Sequence, residues 1–174
     1  MAQEIWDSEI MPKIVQVMSS STPLTFAEHS AAYTAVYQCV TSARRADETR
    51  RELHTLTGKF FAEHTKSIAT GAPGDDAELT AYYDAEWDRF SKAVKVVDRL
   101  LNQLNRHYVQ RVRDEGNKEI LAVRNLAFKS WKSNVFDILS PRLEGVNKTR
   151  VDAVRELLAS EELLDEKLQG MRLG

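Results

Sequence analysis

Hydrophobic positions along this chain of 174 residues recur at helical intervals nearly throughout. The most regular run is Trp87, Phe90, Val94, Val97, Leu101, Leu104 and Tyr108. Its alternating steps of three and four keep every member on one side of a helix. Such a stripe buries against neighbouring helices and carries no chemistry by itself. Upstream, Ile5, Trp6, Ile10, Ile14, Val17 and Met18 predict a first helix, ended by the polar cluster Ser19-Ser20-Ser21-Thr22-Pro23. Thr25-Phe26-Ala27-Glu28 has the form of a capping box, so a second helix starts near Thr25. Along it His29, Tyr33, Val36, Tyr37 and Val40 share a stripe, while Ala31, Ala32 and Ala35 keep other faces slim enough for close helix contact.

A third amphipathic helix, from Asp47 to about Ile68, carries Leu53, Leu56, Phe60, Phe61, His64 and Ile68 and stops at Gly71-Ala72-Pro73-Gly74-Asp75-Asp76. The fourth helix starts at Ala77 and is expected to persist to about Arg113, with Gly116 beyond it as a C-terminal cap or a kink. A fifth, from about Lys118, gathers Ile120, Val123, Leu126, Ala127 and Trp131 on one apolar face and is expected to end at Ser140-Pro141. Thr149-Arg150-Val151-Asp152 resembles another capping box. Val151, Val154, Leu157 and Leu158, then Leu163, Leu164 and Leu168, allow one or two more helical pieces. The expectation is an all-α fold: a five-helix bundle over residues 1–140, with 141–174 as a C-terminal helical extension of the same domain.

Composition sharpens this picture. Seven glycines and four prolines are few for the length, which favours long helices over a turn-rich β architecture. With 24 basic and 26 acidic residues, net charge points to neither nucleic acid nor an anionic membrane. Cys39 is the single cysteine and has no internal partner, and no long apolar run or signal-peptide core is present, so the chain reads as soluble and intracellular. His29, His54, His64 and His107 lack metal-ligand spacing, and the carboxylates Asp84, Glu86 and Asp88 point around a helix rather than into one cleft. With no phosphate loop, nucleophile elbow or dinucleotide fingerprint, no catalytic residue, metal or cofactor is expected. Arg106, Arg111 and Arg113, interleaved with Tyr108, form a basic patch that Asp114, Glu115 and Glu119 largely neutralise. A protein-binding surface suits these residue types better than a nucleic-acid one.

Glu86-Trp87, Leu104-Asn105-Arg106-His107-Tyr108-Val109, Asp114-Glu115-Gly116 and Leu126-Ala127-Phe128 followed by Trp131, taken in order, resemble the first N-terminal repeat of the cullins. Cullins are scaffold subunits of multi-subunit ubiquitin ligases. The resemblance covers roughly residues 5 to 140, and the Asn-Arg-His-aromatic-Val pattern followed by Asp-Glu-Gly is most similar to the cullin-1 type. It implies a five-helix unit whose tip binds an adaptor, either a Skp-type protein carrying an F-box protein or another protein of the BTB fold. It also implies a cytoplasmic or nuclear setting.

By resemblance, Ala32-Tyr33-Thr34-Ala35-Val36-Tyr37 matches the second-helix pattern of two tyrosines four apart, so the adaptor-facing positions there are His29, Ser30, Tyr33, Val36 and Tyr37. Near the end of the fourth helix the implied contacts are Gln103, Asn105, Arg106 and Gln110. The sequence departs from the cullin-1 type at His29 and Ser30, where bulky apolar side chains are more usual, and at Gln103, where an aromatic is usual. The family's later repeats and the region that binds its RING subunit have no counterpart here, so no RING subunit is expected to bind this chain. Two origins follow, an N-terminal fragment of a ligase scaffold or a naturally short relative that acts as an adaptor decoy. A self-associating helical domain of unrelated role is the alternative class.

Overall fold

A computed structural model describes residues 2–20, 22–42 and 46–170, with side chains as far as residue 161. Leu163, Leu164 and Leu168 therefore lie outside the described side chains. The expected all-α class holds, and no strand occurs among the described residues. Helix α1 (residues 2–19) contains a wide π turn at Trp6–Ile10, immediately ahead of Met11-Pro12. Proline offers no N–H and its ring pushes on the carbonyl four residues back, so a locally widened ladder accommodates it. Helix α2 (Phe26–Thr41) starts on the predicted capping box: Glu28 N–H donates to Thr25 Oγ1 at 3.2 Å and Thr25 N–H donates to Glu28 Oε2 at 2.8 Å.

Helices α3 (Ala46–Thr70) and α4 (Asp76–Leu100) are the long ones, and Asp75 caps α4 by accepting Ala77 N–H at 2.7 Å. The fourth helix does not run unbroken to Arg113. Leu101 leaves helical geometry at φ −96° and ψ 14°, and a separate helix α5 (residues 102–114) follows, with a second wide turn at Asn105–Val109. Of the two roles open to Gly116, the structure takes the cap. Its φ is +104°, Gly116 N–H bonds Arg113 O at 3.0 Å and Asn117 N–H bonds Val112 O at 3.1 Å, the paired closure of a Schellman motif.

Three expectations for the later helices are corrected. Helix α6 begins at Val123, not near Lys118, because residues 115–122 form the connection after the cap. Nor does Pro141 end it: α6 covers residues 123–146 and the backbone breaks only at Asn147, φ −149° and ψ 77°. Leu139 and Leu143 are buried on either side of the proline. Arg142 holds Asp76 and the carbonyls of Pro73 and Gly74, each at 2.9 Å, so tertiary contacts outweigh the lost helical bond. Asn147 Oδ1 accepts Arg150 N–H at 3.1 Å, which makes Asn147, not Thr149, the N-cap of helix α7 (residues 148–170).

The chain divides into two compact units, Met1–Phe60 with Arg89–Arg124, and Phe61–Asp88 with Asn125–Gly174. In the first, Trp6, Ile10, Ile14 and Met18 of α1, Ala32, Val36 and Val40 of α2, Leu53 of α3, and Phe90, Val94 and Val97 of α4 are buried. In the second, Trp87 packs 5.2 Å from Trp131 and 5.9 Å from Phe128, ring centroid to ring centroid, and Trp131 Nε1 donates to the Tyr83 hydroxyl at 3.1 Å. The seven-member stripe is buried throughout, yet Trp87 serves the second unit and Phe90 onward the first.

Candidate functional site

The expected site residues all fall in the first unit, on α2 and α5. On α2 the two faces separate cleanly. Ala32, Ala35, Val36, Cys39 and Val40 point into the core, and the outer side carries Ser30 and Tyr37, both exposed, with His29 and Tyr33 half-buried. Val36 has no exposed surface, so it supports the helix from behind and is removed from the contact set. Its burial follows from Ala32 and Val40, one turn away on either side and equally buried. Burial also raises the Cys39 thiol's pKa, which suits packing rather than nucleophilic chemistry.

On α5 the residues have different fates. Gln103 is only 8% exposed, and its amide Nε2 donates to the Tyr33 hydroxyl, joining α5 to α2 across 70 residues of sequence. His29 stacks with that tyrosine, rings 15° from parallel and centroids 6.5 Å apart. Asn105 is committed inward at both ends of its amide: Nδ2 donates to Asp98 at 3.0 Å and Oδ1 accepts Val123 N–H at 2.9 Å. It caps the start of α6 and is therefore structural. Arg106 is exposed and Gln110 half-buried, so both remain reachable.

Several residues that periodicity did not single out shape this end of the unit. Phe26 is 90% exposed at the first position of α2, where the capping box fixes the backbone and leaves the ring in solvent. His54 hydrogen-bonds Leu121 O through Nε2 at 2.8 Å and lies 5.3 Å from the Tyr108 ring; burial lowers its pKa. Arg111 reaches Asp47 at 2.6 Å, and Arg50 donates to Val40 O at 2.6 Å, tying α5, α3 and the end of α2 together. Asp47 is held below the usual carboxylate range by that Arg111 bond. At the start of α2, Thr25 N–H and then Lys13, 3.0 Å away, lower the Glu28 carboxyl to about 2.

What remains on the surface is an aromatic, amide and guanidinium set, suited to binding a protein rather than to transferring a proton or group. Among the described residues no cluster of His, Cys, Asp or Glu is arranged to hold a metal, and no helix is long and apolar enough to cross a membrane.

Comparison with known proteins adds relatives to this geometry. The family described as the cullin alpha solenoid domain matches residues 8–168. Cullin-1 of Caenorhabditis elegans is 32% identical over 117 residues, which cover 67% of this chain and 14% of that protein. Cullin-1 of Dictyostelium discoideum is 34% identical over 102 residues, 58% of this chain and 13% of that protein. Cell division control protein 53 of Saccharomyces cerevisiae is 26% identical over 116 residues, 60% of this chain and 14% of that protein. The matched part thus spans about one seventh of the length of these relatives.

Proposed function

The chain belongs to the cullin family, and from that premise we propose that it is the adaptor-binding module of a cullin-RING ubiquitin ligase scaffold of the SCF type. Its partner is a Skp-type or other BTB-fold adaptor bearing an F-box protein or similar substrate receptor. The observation that supports this most is the junction of α2 and α5 through Tyr33 and Gln103, with His29, Ser30, Tyr37, Arg106 and Gln110 reachable around it. Tyrosine and arginine supply large contact area and directional hydrogen bonds, and both are enriched among the residues that dominate interface energetics.

A module of this kind catalyses nothing. It fixes one end of an assembly so that substrate and charged enzyme meet at a high effective concentration. The RING subunit binds elsewhere in such an assembly and makes no contact with this segment.

Titration calorimetry of the chain against a Skp-type adaptor, with and without a bound F-box segment, tests the proposal. A complex that forms at micromolar concentrations and is lost when Tyr33→Ala and Arg106→Ala are combined is the expected result. No binding, or binding indifferent to the pair of substitutions, contradicts it.

A further inference from the structure

We infer that Gln103 is a positioning residue that makes the Tyr33 hydroxyl a hydrogen-bond donor towards the bound partner, so that the surface selects a partner with an oxygen acceptor at that point. This rests on the adaptor-binding function proposed above and specifies one of its contacts. A phenolic hydroxyl has a single proton and can also accept. Gln103 Nε2 donates to the Tyr33 oxygen, which occupies its acceptor side and leaves the proton free. No other polar partner of Tyr33 occurs among the described residues, so nothing within them consumes that proton.

Two features hold the arrangement in place. Gln103 is 8% exposed, and a buried amide deprived of its partner is costly, so its bond to Tyr33 is not readily exchanged for water. The His29 ring stacked on Tyr33 restricts the phenol from its face. What remains free is rotation of the hydroxyl about its own C–O bond, so little ordering entropy stands against contact with an acceptor.

The test reverses the polarity. Gln103→Glu keeps the size of the side chain and replaces the donor with an acceptor, so the Tyr33 proton turns inward and is lost to the partner. The full chain, Tyr33→Phe, Gln103→Glu and the double variant are titrated calorimetrically with a Skp-type adaptor carrying an F-box segment. Each single variant is expected to weaken binding about tenfold, the loss of one interfacial hydrogen bond, and the double variant no more than either alone. Thermal unfolding of each variant checks the fold; if Gln103→Glu does not fold, Gln103→Met retains the bulk without orienting the hydroxyl. That variant is expected to weaken binding in the parent chain and to have no effect in the Tyr33→Phe background.

Binding by Gln103→Glu within about twofold of the parent, or a loss that adds in full to that of Tyr33→Phe, overturns the positioning role. Failure of the unsubstituted chain to bind the adaptor instead removes the function on which the role rests.

Discussion

Asn105 and Gln103 carry amides able to bond a partner, yet both are engaged within the protein, and their neighbours Arg106 and Gln110 are the ones left reachable. Helical spacing identifies a residue's face but not its hydrogen-bond partner, which here lies 70 residues away for Gln103 and 18 for the Val123 bond of Asn105. Asn105→Ala orphans Val123 N–H and Asp98, so a loss of about 1–3 kcal/mol in urea unfolding is expected. Arg106→Ala changes stability by less than about 0.5 kcal/mol, as befits an exposed side chain away from such a bracket. Equal effects of the two substitutions would contradict this division.

Two side chains carry opposite charges into an acid titration with the same sign of outcome. His54 binds its proton less readily in the folded state because burial disfavours the imidazolium, so the unfolded chain takes up protons first. Stability is full above the ordinary imidazole value of 6.5 and declines as the pH falls below it. Glu28 is lowered from 4.5 to about 2, so its stabilising share is present above 4.5 and is lost as the pH falls towards 2. Thermal midpoints measured from about pH 7.5 down to about pH 2 should fall in both windows. His54→Gln is expected to flatten the upper window and Glu28→Gln the lower; an unchanged slope in either would refute the assigned group.

At the scale of elements, the sequence was most legible where a cap carries its own signal. Thr25 with Glu28 begins α2 as expected, and Gly116 ends α5 in a conformation that disfavours a Cβ. Nothing lies within 4 Å of the Cβ position of Gly116, so Gly116→Ala has a purely conformational cost, about 1 kcal/mol in thermal or denaturant unfolding. The break at Leu101 was not legible, since the apolar stripe continues through it and Leu100, Leu101 and Leu104 are all buried. Pro141 was misleading for a different reason: Arg142 and the buried Leu139 and Leu143 hold the helix together across it. The true break at Asn147 had a signal, an asparagine suited to capping, three residues ahead of the amide it accepts. Asn147→Ala should cost about 1 kcal/mol, and a neutral result would remove the assigned cap.

For the whole molecule, periodicity and composition supported the all-α class, and the ordered motif set supported the family that matches residues 8–168. The division into two units was not visible, because both draw on the same long helices α3 and α4 and on one continuous apolar stripe. The candidate surface remains a proposal, and only part of its geometry could be read from the sequence. Tyr33, Tyr37 and Arg106 stood out by type and position, whereas the burial of Val36 and the inward commitment of Asn105 depend on packing between segments distant in sequence.

The adaptor-binding surface proposed for α2 and α5 is tested most directly by amide hydrogen exchange of the chain with and without a Skp-type adaptor. Protection is predicted to rise over residues 26–41 and 102–114 and to stay unchanged over residues 137–161. Protection that appears only in the latter segment, or nowhere, would contradict the account.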